Sequence, residues 1–346
     1  MNTTFRTFTS LSVSVVLGFT LHVRAQTSPS VGLQLSAGAA HVTVTGPVNS
    51  TWTVQFNSAL GKTNAWLPLA NLKLTNGTAL VNDISGPVSG NKFYRTAPPQ
   101  PAPTNVINAN LVWIAPGTFL MGSPTNEVGH EVDEVQHPVT ISRGFFASKY
   151  LVTQGDFLAL MGYNPSYFTG THGGTDLSRP VEQVHWYAAA AYCSQLSQTE
   201  QQAGRLPTNW VYRLPTEAEW EFACRAGSTN RFSYGDDPGY LNLTNYSWDS
   251  ANSALITHAV AQKLPNGLGL YDVHGDVYEW CQDWYDAYPA TLAVDPQGPT
   301  GGFQRVFRGG SWAYSGQFCR SAGRYSLDPT LPQNSVGFRV VAAPSP

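Results

Sequence analysis

The sequence predicts an α+β fold with little regular secondary structure, preceded by a small all-β domain. Three observations carry this. Glycine (32), proline (24) and aromatic residues (12 %) are abundant, a composition suited to shaped loops rather than helical bundles. Only two stretches read as helices. Before residue 97, short alternating runs are separated by turn signals.

In chain order, the first residues read as a secretory signal peptide over 1–25. Arg6 is the positive n-region, Leu11 to Leu21 is an apolar run too short for a stable span, and Val23-Arg24-Ala25 suits cleavage after Ala25. The expected location is therefore secreted or periplasmic, with no membrane span after cleavage. Residues 31–96 contain HVTVT (His41 to Thr45), TWTVQF (Thr51 to Phe56) and KFYRT (Lys92 to Thr96), divided at Gly46-Pro47, Asn76-Gly77 and Gly86-Pro87. This is the pattern of a small β-sandwich of the immunoglobulin or fibronectin kind. Residues 97–104 are a stiff proline-rich linker.

The main domain, 105–343, opens with LVWI, a Pro-Gly turn and TFLMGS, which read as a hairpin. HWYAAAAYCSQLS (His185 to Ser197) is alanine-dense and helical. A second helix lies in RLPTEAEWEFACRAG, where Thr216 and Glu219 form a capping box and Gly227 ends it. With so few regular elements, disulfides, buried tryptophans or bound cations are expected to hold the loops. The even cysteine count (Cys193, Cys224, Cys281, Cys319) in an exported chain favours disulfides and leaves three pairings open. A net charge of −3 without a basic stripe argues against nucleic acid as a partner. The histidines form no metal pattern, and Glu131 to Glu134, between His130 and His137, reads as a solvated acidic loop. Ser311 lies in no Gly-x-Ser-x-Gly elbow and has no assigned base.

A series of segments follows in order: WIAPGTFLMGS, HPVTIS, KYLVTQGDFLALMGYNPSYF, RPVEQVHWYAAAAYC, RLPTEAEWEFACRAG, GLYDVHGDVYEWCQDWY, RVFRGGSW, CRSAGR and VGFRVV. In this order the main domain resembles the formylglycine-generating-enzyme, or sulfatase-modifying factor, family. The resemblance implies a C-type-lectin-like fold, and a founding activity that oxidises a cysteine of sulfatases to formylglycine with oxygen and copper(I). The copper sits on two cysteines, two and seven residues after the aromatic of Gly-Gly-Ser-aromatic. Here Gly309-Gly310-Ser311-Trp312 is followed by Tyr314 and Cys319 at those places, so one thiol stands where a soft ligand pair is needed. Aligned instead on Arg320 to Arg324, Cys319 is a structural residue, and the copper pair is absent again. Tyr278 replaces the family's tryptophan before Glu279, and Ser335 replaces its asparagine before Gly337-Phe338.

The resemblance further implies a structural calcium ion on Asp272, Gly275, Val277 and Glu279, and a second on Asn245 and Tyr246. Copper is not expected. Family order also implies pairs Cys281–Cys319 and Cys193–Cys224, with Cys224–Cys319 as the rival. The groove residues would be Trp312, Tyr314, Arg324, Tyr278 and Ser335, with Cys319 and Ser311 as the candidate catalytic groups. Three functions compete: a scaffold binding a polypeptide or sulfatase-like protein, a formylglycine-generating oxidase, and another exported tailoring enzyme on the same fold.

Overall fold

A computed structural model describes residues 13–14, 29–36, 39–58, 66–85, 92–104, 106, 108–170, 172 and 174–345. The signal-peptide reading of residues 1–25 falls outside these, except for Val13–Ser14, which pairs with Phe93 and Tyr94. In the N-terminal region, strands Ser30–Ser36, Ala39–Thr45 and Thr78–Asn82 form one sheet. Thr51–Asn57, Leu67–Lys73 and Phe93–Ala97 form another with Val13–Ser14. The period of two directs Val42, Val44, Val54, Phe56, Leu69 and Tyr94 into one apolar cluster. Within it Asp83 accepts from the Tyr94 hydroxyl at 2.5 Å and pairs with Lys92 at 2.7 Å.

The main domain is mixed α+β, with three α-helices among the described residues. Helix α1, Gln154–Met161, was not anticipated, although Thr153 and Asp156 make a capping box and Gly162 a left-handed end. Helix α2, Trp186–Gln202, runs more than a turn past the expected Ser197. Helix α3, Glu217–Arg225, starts at the expected Thr216–Glu219 box and ends at Ala226 in the left-handed region.

The hairpin expectation is corrected. Leu111–Ile114 pairs with Phe145–Ser148, in a sheet completed by Val341–Pro344 and Trp210–Arg213. Gly117–Met121 pairs instead with His137–Ile141. The Pro-Gly turn therefore sends the two strands into different sheets. A further sheet, in the order Arg324–Leu327, Arg305–Arg308, Tyr278–Trp284 and Val336–Gly337, carries the last four of the segments singled out above.

Paired charges, not disulfides, tie the loops to these sheets. Fully buried Arg308 donates to Glu221, to Glu217 at 3.3 Å and to the Ser321 and Ala322 carbonyls. Arg225 and the Gly122 N–H also reach Glu221, at 2.8 and 2.9 Å. Arg320 grips Glu134 through both terminal nitrogens, at 2.8 and 2.6 Å. Glu134 is thus a buried anchor rather than part of a solvated acidic loop, because a guanidinium fork compensates the loss of water.

Candidate functional site

Strand Arg305–Arg308 delivers the chain to Gly309 and Gly310, at φ 102° and 82°. A Cβ on Gly310 would stand 2.4 Å from Cys319 Sγ and 2.8 Å from its Cα, so this turn closes directly over the thiol. Beyond it, the Trp312 N–H donates to the Asp276 carbonyl at 2.8 Å and its indole N–H to the Asn334 carbonyl at 3.0 Å. The Phe168 ring meets Trp312 edge-on at 5.0 Å. Tyr314, 42 % exposed, lies 5.6 Å from the Tyr278 ring and 5.4 Å from Phe318, and the Ser335 carbonyl accepts from the Tyr278 N–H. Tyr278 and Tyr314 therefore share one aromatic group with Phe318, beside the Ser335 backbone, while Trp312 packs on Phe168; Tyr278 and Ser335 are buried, so Tyr314 and half-buried Trp312 are the residues that reach the surface.

Arg324, expected in the same groove, is not part of it. Its guanidinium is buried, bound to Glu217 at 2.9 and 2.8 Å and held over the Tyr288 ring at 3.8 Å. Charge pairing claims it for the framework.

Cys319 is fully buried with Phe232 and Leu243, and Ser247 Oγ lies 3.7 Å from its sulfur. Burial pushes its thiol far above the ordinary range, so the thiolate that binds soft metals is disfavoured. The Tyr314 phenol oxygen is a hard donor. This donor set does not fit copper(I). Ser311 is buried too, with its hydroxyl accepting only weakly from the Ala313 N–H at 3.4 Å.

The neighbouring loop, 272–277, is tightly packed. A Cβ at Gly275 would fall 2.3 Å from Ser247 Oγ and 2.6 Å from the Trp248 carbonyl, so only glycine fits. Asp272 accepts from the Ala261 N–H at 2.8 Å through one oxygen, and Asp276 from the His258 N–H at 3.0 Å. The second oxygen of each is buried without a partner among the described residues. Burial raises Asp272 to about 6 and Asp276 well above the carboxylate range.

Val277 is buried beside them, and Glu279, expected on calcium, faces Arg339 here. Both its oxygens are taken by Arg339, at 2.5 and 2.7 Å, and one also by the Trp220 indole N–H at 2.9 Å. Asn245 is exposed, its carbonyl accepting from the Leu264 N–H, while the Tyr246 ring stacks on Tyr234 at 4.2 Å. Among the described residues, no three His, Cys, Asp or Glu side chains lie close enough to share a metal.

His274 escaped the sequence reading. It is buried, with Nδ1 against the Cys319 carbonyl at 2.9 Å and Nε2 accepting from the Ser233 N–H at 3.1 Å. Burial lowers its pKa to about 4 and keeps the ring neutral.

The expected disulfides are not formed. All four cysteines are free and buried. Cys193 packs in a different apolar cluster from Cys224, and Cys281 in a different one from Cys319, so neither expected pair shares a core. The rival Cys224 lies instead against Ser321 Oγ and the Val273 carbonyl, both at 3.8 Å.

Comparison with known proteins follows this geometry. The sulfatase-modifying factor enzyme 1-like domain model matches residues 96–344. The formylglycine-generating enzyme of Streptomyces coelicolor is 37 % identical over 177 residues, covering 47 % of this chain and 52 % of that enzyme. The chaperone protein LppX of Paenibacillus barcinonensis is 32 % identical over 217 residues, covering 51 % of this chain and 72 % of that protein. Among solved structures, Treponema denticola variable protein 1 superposes with a TM-score of 0.60 at 32 % identity, over 68 % of this chain and 95 % of that one. The chain spans about half the length of the curated formylglycine-generating enzymes it matches. With its fold, its glycine turn and its ordered motifs all in the matched region, the chain belongs to the sulfatase-modifying factor, or formylglycine-generating enzyme, family.

Proposed function

We propose that this chain is an exported binding member of its family, holding a polypeptide against Tyr314 and Trp312, with buried Tyr278 backing Tyr314, and that it does not oxidise cysteine. The observation that carries this is Cys319: the thiol is sealed beneath Gly310, and the other copper position is a phenol. The relative named as a chaperone supports a polypeptide ligand. The relatives named as formylglycine-generating enzymes support the rival oxidase, which lacks its metal ligands here.

A sulfatase-derived cysteine peptide, incubated with copper(I) and oxygen and followed by mass spectrometry, separates the two. The expected result is no aldehyde product, together with peptide binding that Tyr314→Ala weakens about tenfold, the size of losing one aromatic contact. Turnover by the wild type that Cys319→Ser abolishes would establish the oxidase.

Calcium is a second, separate proposal, favoured by the buried, unpartnered oxygen of Asp272. In this reading Asp272 and the Gly275 and Val277 carbonyls hold the ion, while Glu279 serves Arg339. A chelator then lowers the melting temperature, and Asp272→Asn removes that response while Glu279→Gln destabilises without removing it. Identical melting with and without chelator, and no calcium by elemental analysis, would refute the ion.

A further inference from the structure

A second concave region lies away from the aromatic group of Tyr278 and Tyr314. Tyr278 and Trp284 are the two ends of one seven-residue strand, roughly 20 Å apart at about 3.3 Å per residue. At the Trp284 end, one face of α2 from Trp186 to Gln201, strand Trp210–Arg213 and the start of strand Arg305–Arg308 line a cleft of about 720 Å³. That is well inside the range of about 300–1,000 Å³ that ligand sites occupy.

Its chemistry is distinctive. Arg305 stands opposite Trp284 in the sheet register. Its guanidinium carbon lies 3.6 Å from the Trp284 ring centre and 3.8 Å from that of Trp186, so two indoles flank the cation. One terminal nitrogen donates to the Gln282 carbonyl, while Nε is buried without a partner.

The arginines that stabilise the framework differ. Arg308, Arg320, Arg324 and Arg339 each hold a carboxylate. None is bridged to Arg305 among the described residues, and the cleft lining contains no Asp or Glu. The other lining cation, Arg213, is neutralised by Glu219 at 2.6 and 2.8 Å. Arg305 is thus a lining cation without an ion pair among the described residues, with buried Asp283 acting on it from outside the cleft. Amides and hydroxyls of Gln198, Gln282, Gln297, Ser194 and Thr300 complete its walls.

We propose that this cleft is a binding site for an acidic saccharide of the uronic-acid class. The sugar carboxylate would meet the guanidinium of Arg305, which holds no carboxylate of its own, and its hydroxyls the amides and hydroxyls of the walls. The apolar face of the ring would lie along the indoles. A preorganised guanidinium with an unsatisfied donor favours a planar oxyanion. The paired aromatic and amide surfaces favour a hydroxylated ring over a bare carboxylate.

Calorimetric titration of the full chain with digalacturonate tests this, with its methyl ester and acetate as comparison ligands. Digalacturonate is expected to bind and to change tryptophan fluorescence. The uncharged ester and acetate should each bind at least tenfold more weakly. Arg305→Gln should lose at least tenfold in affinity. Ser194→Tyr, at an exposed helix position facing no framework charge, should block the cleft while leaving the circular dichroism unchanged. No binding of digalacturonate, or equal binding of the ester, would overturn the assignment. Acetate as tight as the saccharide would overturn the sugar, and undiminished binding to Ser194→Tyr would place the ligand elsewhere.

Discussion

Buried carboxylates meet two different fates in this molecule. Around α3, every oxygen of Glu217 and Glu221 has a partner: Arg225 and Arg308 on Glu221, Arg308, Arg324 and the Tyr288 hydroxyl on Glu217. Around the loop under Trp312, Asp272, Asp276 and Glu182 are as deeply buried, yet each keeps one oxygen without a partner. The difference lies in the supply of arginine. Where guanidinium forks are present they pair with the acids and hold loops together. Where they are absent, burial raises the pKa, to about 6 for Asp272 and about 7 for Glu182. The first region is framework. The second holds buried acid oxygens without partners among the described residues.

The contrast predicts unequal costs of neutralising a carboxylate. Glu221→Gln leaves Arg308 and Arg225 buried with too little negative charge, and urea unfolding should show a loss of about 3–5 kcal/mol. A loss below about 1 kcal/mol would mean that the α3 network contributes no more than a surface pair.

Glu182→Gln should act in the opposite direction and by less. The folded pKa of Glu182 is raised from 4.5 to about 7, chiefly by desolvation and against the Phe168 N–H bond. The native state therefore holds a proton that the unfolded chain has released. Stability falls as pH rises from about 4.5 to about 7, and the full cost persists above that. In chelator-treated protein this slope should amount to on the order of 2–3 kcal/mol. Glu182→Gln should match the wild type near pH 4.5 and exceed it at pH 8. Parallel pH curves for the two proteins would break the comparison.

What the sequence made legible follows the same division. Local chemistry was readable: Thr216 and Glu219 start α3, alternating valines build the N-terminal sheets, and the ordered motifs identify the family. The framework was not. The Glu221–Arg308 and Glu134–Arg320 pairs join residues 87 and 186 positions apart, and nothing in local periodicity announces which arginine a carboxylate will meet. For that reason Glu134 read as solvated, and the resemblance that put Arg324 in the groove and Glu279 on calcium carried no sign of their arginine and carboxylate partners. The cysteines misled for a related reason: an even count predicts pairing, whereas a buried thiol also serves as a small apolar side chain. Helix α1 was the one local signal overlooked, since Thr153, Asp156 and Gly162 mark both of its ends.

The central claim is that Cys319 is a sealed structural thiol and not a copper ligand. Counting reactive thiols in the native protein with a membrane-impermeant aromatic disulfide reagent, with and without copper(I), tests it most directly. All four cysteines are free and buried, so none should react while the protein is folded, all should react after denaturation without reductant, and copper should change neither count. One fast-reacting thiol in the native protein, protected by copper(I) and lost in Cys319→Ser, would contradict the account.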